Sequence, residues 1–136
     1  MRPKQFYGSG VKMEVRVNDE SIYKLKSGHR LILNINSNDT IKIQCVYPPI
    51  KVYQSEPYII LPTDDNEIYF NVFYWGEGYN PLKHSGIILG PNGKPLEFNV
   101  EIERLELKEG ETKFRNEELF KDKSEHIKTI QSNFVQ

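Results

Sequence analysis

Apolar and polar residues alternate along the first third of the chain with the period of two that is typical of half-buried β-strands. The clearest run covers residues 11–17, where valine or methionine occupies every second position and charged residues lie between them. Similar alternation predicts strands over residues 22–26, 30–35 and 40–47, each followed by turn-forming residues.

Further strand signals follow, and they differ in how many sides are apolar. Prolines beside residues 50–53 and 58–61 predict edge strands, because an edge tolerates a missing backbone N–H. Residues 67–75 are apolar on both sides, which predicts a central strand covered on both faces. Residues 94–107 alternate until the apolar parity changes near Arg104, which predicts a β-bulge there.

The last part of the chain changes to a helical period. Asn116 is followed by two glutamates, a pattern typical of a helix N-cap with acidic residues at the positive end of the dipole. At helical spacing one narrow apolar stripe results, formed by Leu119, Phe120, Ile127, Ile130 and Phe134. Such a helix is too polar to stand alone, so we expect it to dock on the sheet, pair with a partner or fray.

Together these patterns predict a mainly β protein, an antiparallel β-sandwich of Ig-like or jelly-roll-like type with one C-terminal amphipathic helix. The absence of alanine among the 136 residues removes the best helix former and agrees with this class. The predicted organisation is a flexible N-terminal segment over 1–10, a sandwich domain over 11–108 and a helical extension over 109–136.

Three short stretches of the first third resemble a known type of domain. They are VRVNDES at residues 15–21, LKSG at residues 25–28 and IKI at residues 41–43. They resemble the opening of PEGA-like and related small bacterial Ig-like domains, where a V-x-V-N-G hairpin precedes a leucine and a glycine turn. Asp19 stands where that pattern has glycine. The resemblance implies a sandwich fold and no shared catalytic residue.

Charge and hydropathy narrow the classes of partner. The chain carries 18 basic and 19 acidic residues without long blocks, which argues against a nucleic-acid binder. No apolar run approaches the roughly 18 residues of a membrane-spanning helix, and residues 1–10 lack the apolar centre of a secretory signal. We therefore expect a soluble protein with no membrane partner. The sequence does not indicate its cellular compartment.

Candidate catalytic and metal-binding residues are sparse. Cys45, the only cysteine, shares its parity with Ile41 and Ile43, which predicts a buried and inert thiol. His29, His84 and His126 have no metal-ligand spacing, so no metal or other cofactor is predicted.

The acidic stretch at residues 64–67 lacks the order of a calcium loop and is interpreted as a turn. Without a catalytic motif, we do not expect an enzyme. A small hydrolase that combines His84 with Asp64 or Glu67 remains the most distant alternative.

Aromatic residues are concentrated at residues 69–79. Most of their rings are expected to fill the central strand, but Trp75 and Tyr79 lie beside or within a glycine-rich loop. With Asn80, Lys83 and His84 they form the predicted ligand-binding site.

The function predicted from the sequence is a non-catalytic binding or assembly module. Its contacts would be the loop over residues 75–86, the C-terminal helix stripe, or both, and its partner another protein or a second copy. The main alternative is a carbohydrate-binding module that stacks sugar rings on Trp75.

Overall fold

The described chain forms eight β-strands and one α-helix, which confirms the mainly β class. The computed structural model describes residues 1–4, 10–36, 38–51, 53–75 and 99–131. In chain order the elements are β1 (Met13–Val17), β2 (Glu20–Leu25), β3 (Arg30–Asn36), β4 (Ile41–Val46), β5 (Tyr58–Ile60), β6 (Tyr69–Trp75), β7 (Asn99–Leu105), α1 (Leu107–Phe114), a short 3₁₀ helix (Glu117–Leu119) and β8 (Glu125–Gln131).

The strands pair in three groups. An antiparallel sheet has the order β2-β1-β4-β5, β6 pairs antiparallel with β7, and β3 pairs parallel with β8. The β1–β2 hairpin turns at Asn18 and Asp19, whose φ angles of 50° and 67° give the backbone twist that tight hairpins prefer. The Asn18 side chain also accepts a hydrogen bond from the backbone N–H of Lys42, which ties this turn to β4.

The core lies where the buried face of the four-stranded sheet meets the other strands. Val15 and Cys45 are opposite each other in the β1–β4 register and pack with Val72 and Tyr74 of β6. A neighbouring apolar cluster joins β1 and β4 to β3 and β8; its members include Val17, Ile41, Ile43, Leu33, Ile35 and Ile130. The alternation of β1 and β4 is therefore confirmed, because their apolar parity is the buried side.

The strand β6 is covered on both faces, as predicted, but it is not a central strand, because it belongs to a two-stranded sheet with β7. Tyr74 is buried in the main core, whereas Tyr69 packs against Phe114 of α1 on the other face. Along one edge β6 pairs with β7, and along the other the backbone N–H of Val72 donates to the carbonyl of Met1.

The predicted C-terminal helix is wrong over residues 125–131, which form β8. His126 lies opposite Leu31 and Ile130 opposite Ile35 in the parallel pair with β3. The branched residues of this segment suit a strand, and pairing with β3 outweighs the local helical spacing. Asn116 does accept a hydrogen bond from the N–H of Glu118, but it caps only the 3₁₀ helix.

A separate helical extension over 109–136 is therefore not observed in the described part of this region. The helix α1 is short and begins at Leu107, and the strand that follows it is part of the β-structure.

Two strand details are also corrected. No bulge occurs at Arg104, because the β6–β7 register runs without a shift from Tyr69–Leu105 to Trp75–Asn99. The parity change arises because Leu105 is buried on the other face of β7, in a cluster with Phe120. Residues 50–51 lie in a turn, so the predicted strand over 50–53 does not form among the described residues; residues 94–98 lie outside them.

The first residues of the chain are packed inside the domain, which contradicts a flexible segment over residues 1–4. Arg2 has no exposed surface, and its Nη1 donates hydrogen bonds to the carbonyls of Val11 at 2.9 Å and Leu25 at 2.7 Å. Its guanidinium carbon lies 4.7 Å from the centre of the Tyr74 ring. Residues 5–9 lie outside the described residues.

Helix α1 approaches β6 at Gly110, where a Cβ atom would lie 2.3 Å from the Cβ of Tyr69. We expect Gly110→Ala to lower the free energy of unfolding by about 1–3 kcal/mol through overpacking. In an exposed helix, glycine to alanine would instead raise the free energy of unfolding by about 1 kcal/mol. A decrease would therefore show that Gly110 is in close contact with β6. Denaturant titration checks this. Gly10→Ala is the control, since no atom of the described residues lies within 4 Å of its Cβ position. Equal or higher stability of Gly110→Ala would contradict the close contact.

Candidate functional site: a cavity between the sheets

A cavity of about 1000 Å³ lies between the buried face of the four-stranded sheet and the strands β3 and β6. Polar and apolar groups contribute similar shares of its wall, and the apolar residues include Val15, Leu33, Ile41, Ile43, Cys45 and Val72. Several of these are core residues by exposure, with at most 5% of the surface of Val15, Ile43 and Val72 reaching solvent. The same alternation that builds the sheets therefore also supplies the apolar wall.

Arg30 contributes a buried positive charge to this wall. It begins β3, and its side chain is only 7% exposed. The Nη1 group donates a 2.6 Å hydrogen bond to the carbonyl of Phe114, the last residue of α1. The guanidinium carbon lies 4.6 Å from the ring centre of Phe120 and 5.2 Å from that of Phe114. Two aromatic rings and a helix C-terminus thus fix this side chain.

The hydrogen-bonding capacity of Arg30 is incompletely used by the described residues. Its Nε is buried and has no hydrogen-bond partner among them. Its Nη2 lies 3.8 Å from the carboxylate of Glu117, whose side chain is 76% exposed. This distance is too long for a hydrogen bond. The edge of the guanidinium formed by Nε and Nη2 can therefore still donate hydrogen bonds to another group.

Acidic residues line another part of the cavity, on the loop between β5 and β6. Asp64 and Asp65 lie 3.3 Å and 3.1 Å from the guanidinium of Arg104, which also donates to the hydroxyl of Tyr58. The backbone N–H of Leu61, and then Arg104, lower the pKa of Asp64. These residues lie in a loop, as interpreted from the sequence, and Arg104 pairs with both aspartates.

The thiol of Cys45 lies in the cavity wall and is 1% exposed, which confirms the prediction of burial. Burial raises the pKa of this thiol to about 12. The thiolate is the reactive form, so the group is unreactive at neutral pH.

Two histidines that lie 97 positions apart in the sequence, without metal-ligand spacing, are brought together. His29 Nδ1 and His126 Nε2 are 2.9 Å apart, and the two rings lie within 3° of parallel. The parallel register of β3 and β8 creates this pair, because it places His126 opposite Leu31. The pair could have been found only by recognising residues 125–131 as a strand that pairs with β3.

The predicted ligand-binding residues are mostly outside the described chain. Trp75 ends β6, and its side chain is not described; Tyr79, Asn80, Lys83 and His84 lie outside the described residues. Their role in binding stays a prediction.

The predicted partner-binding stripe does not form one surface. Phe120 is 2% exposed and shares a core cluster with Leu119, whereas Ile130 packs against a different cluster. Ile127 is 62% exposed on β8, and Phe134 lies outside the described residues. The stripe depended on a helix, so the strand disperses its members.

Comparison with family models, curated proteins and solved structures finds no match to this chain. Within the described ranges, no three His, Cys, Asp or Glu side chains are grouped so that they could hold a metal ion. No helix in the described part of the chain is long and apolar enough to cross a membrane. Function is therefore inferred from the geometry alone.

The histidine pair predicts acid sensitivity. Burial, followed by His126, Lys121, Lys26 and Arg2, lowers the pKa of His29. The unfolded chain therefore binds a proton near pH 6.5 that the folded chain resists, so stability is present above this pH and falls as the pH decreases towards the folded pKa.

We expect the thermal midpoint to fall between about pH 7 and pH 5.5, and to fall less in His29→Gln. Carboxylates titrate in both proteins, so the difference between the two curves isolates the histidine. Superimposable curves would contradict this role.

The burial of Cys45 predicts slow chemical modification. At pH 8 we expect a disulfide reagent to modify Cys45 at least about 100-fold more slowly in the native protein than in guanidinium, because little thiolate forms. The control is Cys45→Ser with Lys108→Cys, which places a thiol at an exposed position of α1. Equal rates at the two positions in the native state would show that Cys45 is accessible.

Proposed function

We propose that this protein is a non-catalytic binding domain with a sandwich-like frame, and that its cavity takes an apolar small molecule. The observation that supports this most strongly is the apolar wall formed by buried faces of β1, β4 and β6. The cavity of about 1000 Å³ is at the upper end of the range of about 300–1000 Å³ that is usual for small-molecule sites.

The energetics of the wall favour an apolar ligand. The cavity is partly open to solvent, so water fills it in the absence of a ligand. Water makes few hydrogen bonds with the side chains of Ile41, Ile43 and Val72, so its replacement by apolar groups is favourable.

The reactive groups near the cavity support binding over catalysis. The Cys45 thiol is protonated at neutral pH, as its raised pKa requires. Glu67 accepts a hydrogen bond from the hydroxyl of Tyr69, and Asp64 is paired with Arg104. These carboxylates are thus held by other side chains.

Binding of N-phenyl-1-naphthylamine, a neutral apolar fluorophore, tests this proposal. We expect saturable enhancement of fluorescence with one site per chain. The paired substitution Leu33→Phe and Val72→Phe adds volume at the wall, so we expect binding at least about tenfold weaker in a protein that still unfolds cooperatively.

Ile59→Phe is the matched control, because Ile59 is 45% exposed on β5 and does not line the cavity. Saturating probe should also slow the modification of Cys45, a measurement that needs no variant. Absence of saturable binding, or unchanged binding in the paired variant, would contradict a cavity site.

A further inference from the structure

We infer that the ligand of this cavity carries a carboxylate that binds Arg30, so that the ligand is an amphipathic acid with an apolar chain. This inference rests on the proposed function and adds the chemical class of the ligand. It depends on the place, burial and unused donors of one side chain.

The buried charge of Arg30 favours a negatively charged neighbour. A guanidinium that is 7% exposed has lost most of its hydration, and a buried cation needs compensation from its neighbours. The carbonyl end of α1 and the exposed carboxylate of Glu117 at 3.8 Å provide only part of it. A second negative group close to Arg30 would therefore be stabilised.

The geometry of the Arg30 guanidinium suits a carboxylate. The Nη1 group is engaged with Phe114, whereas Nε has no partner among the described residues. The N–H groups of Nε and Nη2 point outward from the same edge of the planar guanidinium, and their spacing matches that of the two oxygens of a carboxylate. The Phe114 and Phe120 rings hold the plane in place, so little freedom is lost on binding.

The positions of Arg30 and Asp39 indicate how an acidic ligand would be oriented in the cavity. Arg30 begins β3, and Asp39 follows the end of this strand, which spans on the order of 20 Å. Both residues line the cavity. Side chains alternate between the two faces of a strand, so Ile32 shares the face of Arg30 and lines the cavity there, whereas Leu31, Leu33 and Ile35 line it from the other face. An acidic ligand is thus favoured with its carboxylate at Arg30 and its apolar chain beside Ile32, away from Asp39.

Paired ligands that differ only in the head group test this inference. Dodecanoate and dodecanol, at concentrations below micelle formation, are used to displace N-phenyl-1-naphthylamine from the native protein. We expect dodecanoate to bind at least about tenfold more tightly than dodecanol. Equal affinities would overturn the inference and leave apolar binding intact, whereas failure of the neutral fluorophore to bind would overturn the proposed function itself.

Substitutions test whether Arg30 causes the preference for dodecanoate over dodecanol. Arg30→Gln should abolish the preference for dodecanoate while the neutral fluorophore still binds. Arg115→Gln is the matched control, because Arg115 also lines the cavity but its side chain is 75% exposed. Retention of the preference in Arg30→Gln, or its loss in Arg115→Gln, would overturn the assignment.

If Arg30→Gln does not fold, Arg30→Lys replaces it. This change keeps a charge but removes the planar fork, so the preference should fall measurably. An unchanged preference in Arg30→Lys would overturn the proposed two-oxygen contact.

Discussion

The contact of the Arg30 guanidinium with the end of α1 is the interaction on which the arrangement of the second half of the chain depends. One buried side chain joins the start of β3 to the last carbonyl of α1 and to the ring of Phe120. Its burial requires that α1 and the 3₁₀ helix keep their places. Removing one partner of a buried charge generally costs about 3–5 kcal/mol, so this contact constrains the fold strongly. It also places a buried cation on the cavity wall.

Arg2 has a comparable role for the first part of the chain. It is fully buried, and its hydrogen bonds to Val11 and Leu25 tie the first residues to the β1 and β2 region. Neighbouring backbone bonds join Arg2 to His29 and Gly28, immediately before β3. Arg2 and Arg30 therefore both hold the region around the start of β3, and the cavity lies against this strand. A rigid frame of this kind suits a preformed binding site.

Local pattern predicted the parts of the fold in which apolar and polar residues alternate along a strand. Residues 11–17 and 40–47 are such cases, and their apolar parity is the core side of β1 and β4. Residues 119–130 are different, because Ile127 and Ile130 fit helical spacing although they lie on a strand. The parallel pairing with β3 decides this segment, and a contact between residues about 100 positions apart has no local signature.

The candidate site was harder to predict than the fold for the same reason. The burial of Cys45 followed from its parity, but its position on a cavity wall depends on side chains of β3 and β6 that do not fill the space beside it. Arg30 lies in a predicted strand and was not singled out, because its burial arises from α1 and Phe120, far along the chain. The His29–His126 pair likewise needs the β3–β8 register.

The central claim is that the Nε of Arg30 faces the ligand. Arginine side-chain NMR on protein labelled with ¹⁵N reports this contact directly, with the Nε–H resonance of Arg30 assigned from its disappearance in Arg30→Lys. On addition of dodecanoate this resonance should shift and exchange more slowly with water, because the proton enters a charged hydrogen bond, and dodecanol should leave it nearly in place. An Arg30 resonance that stays unchanged at saturating dodecanoate would contradict the account.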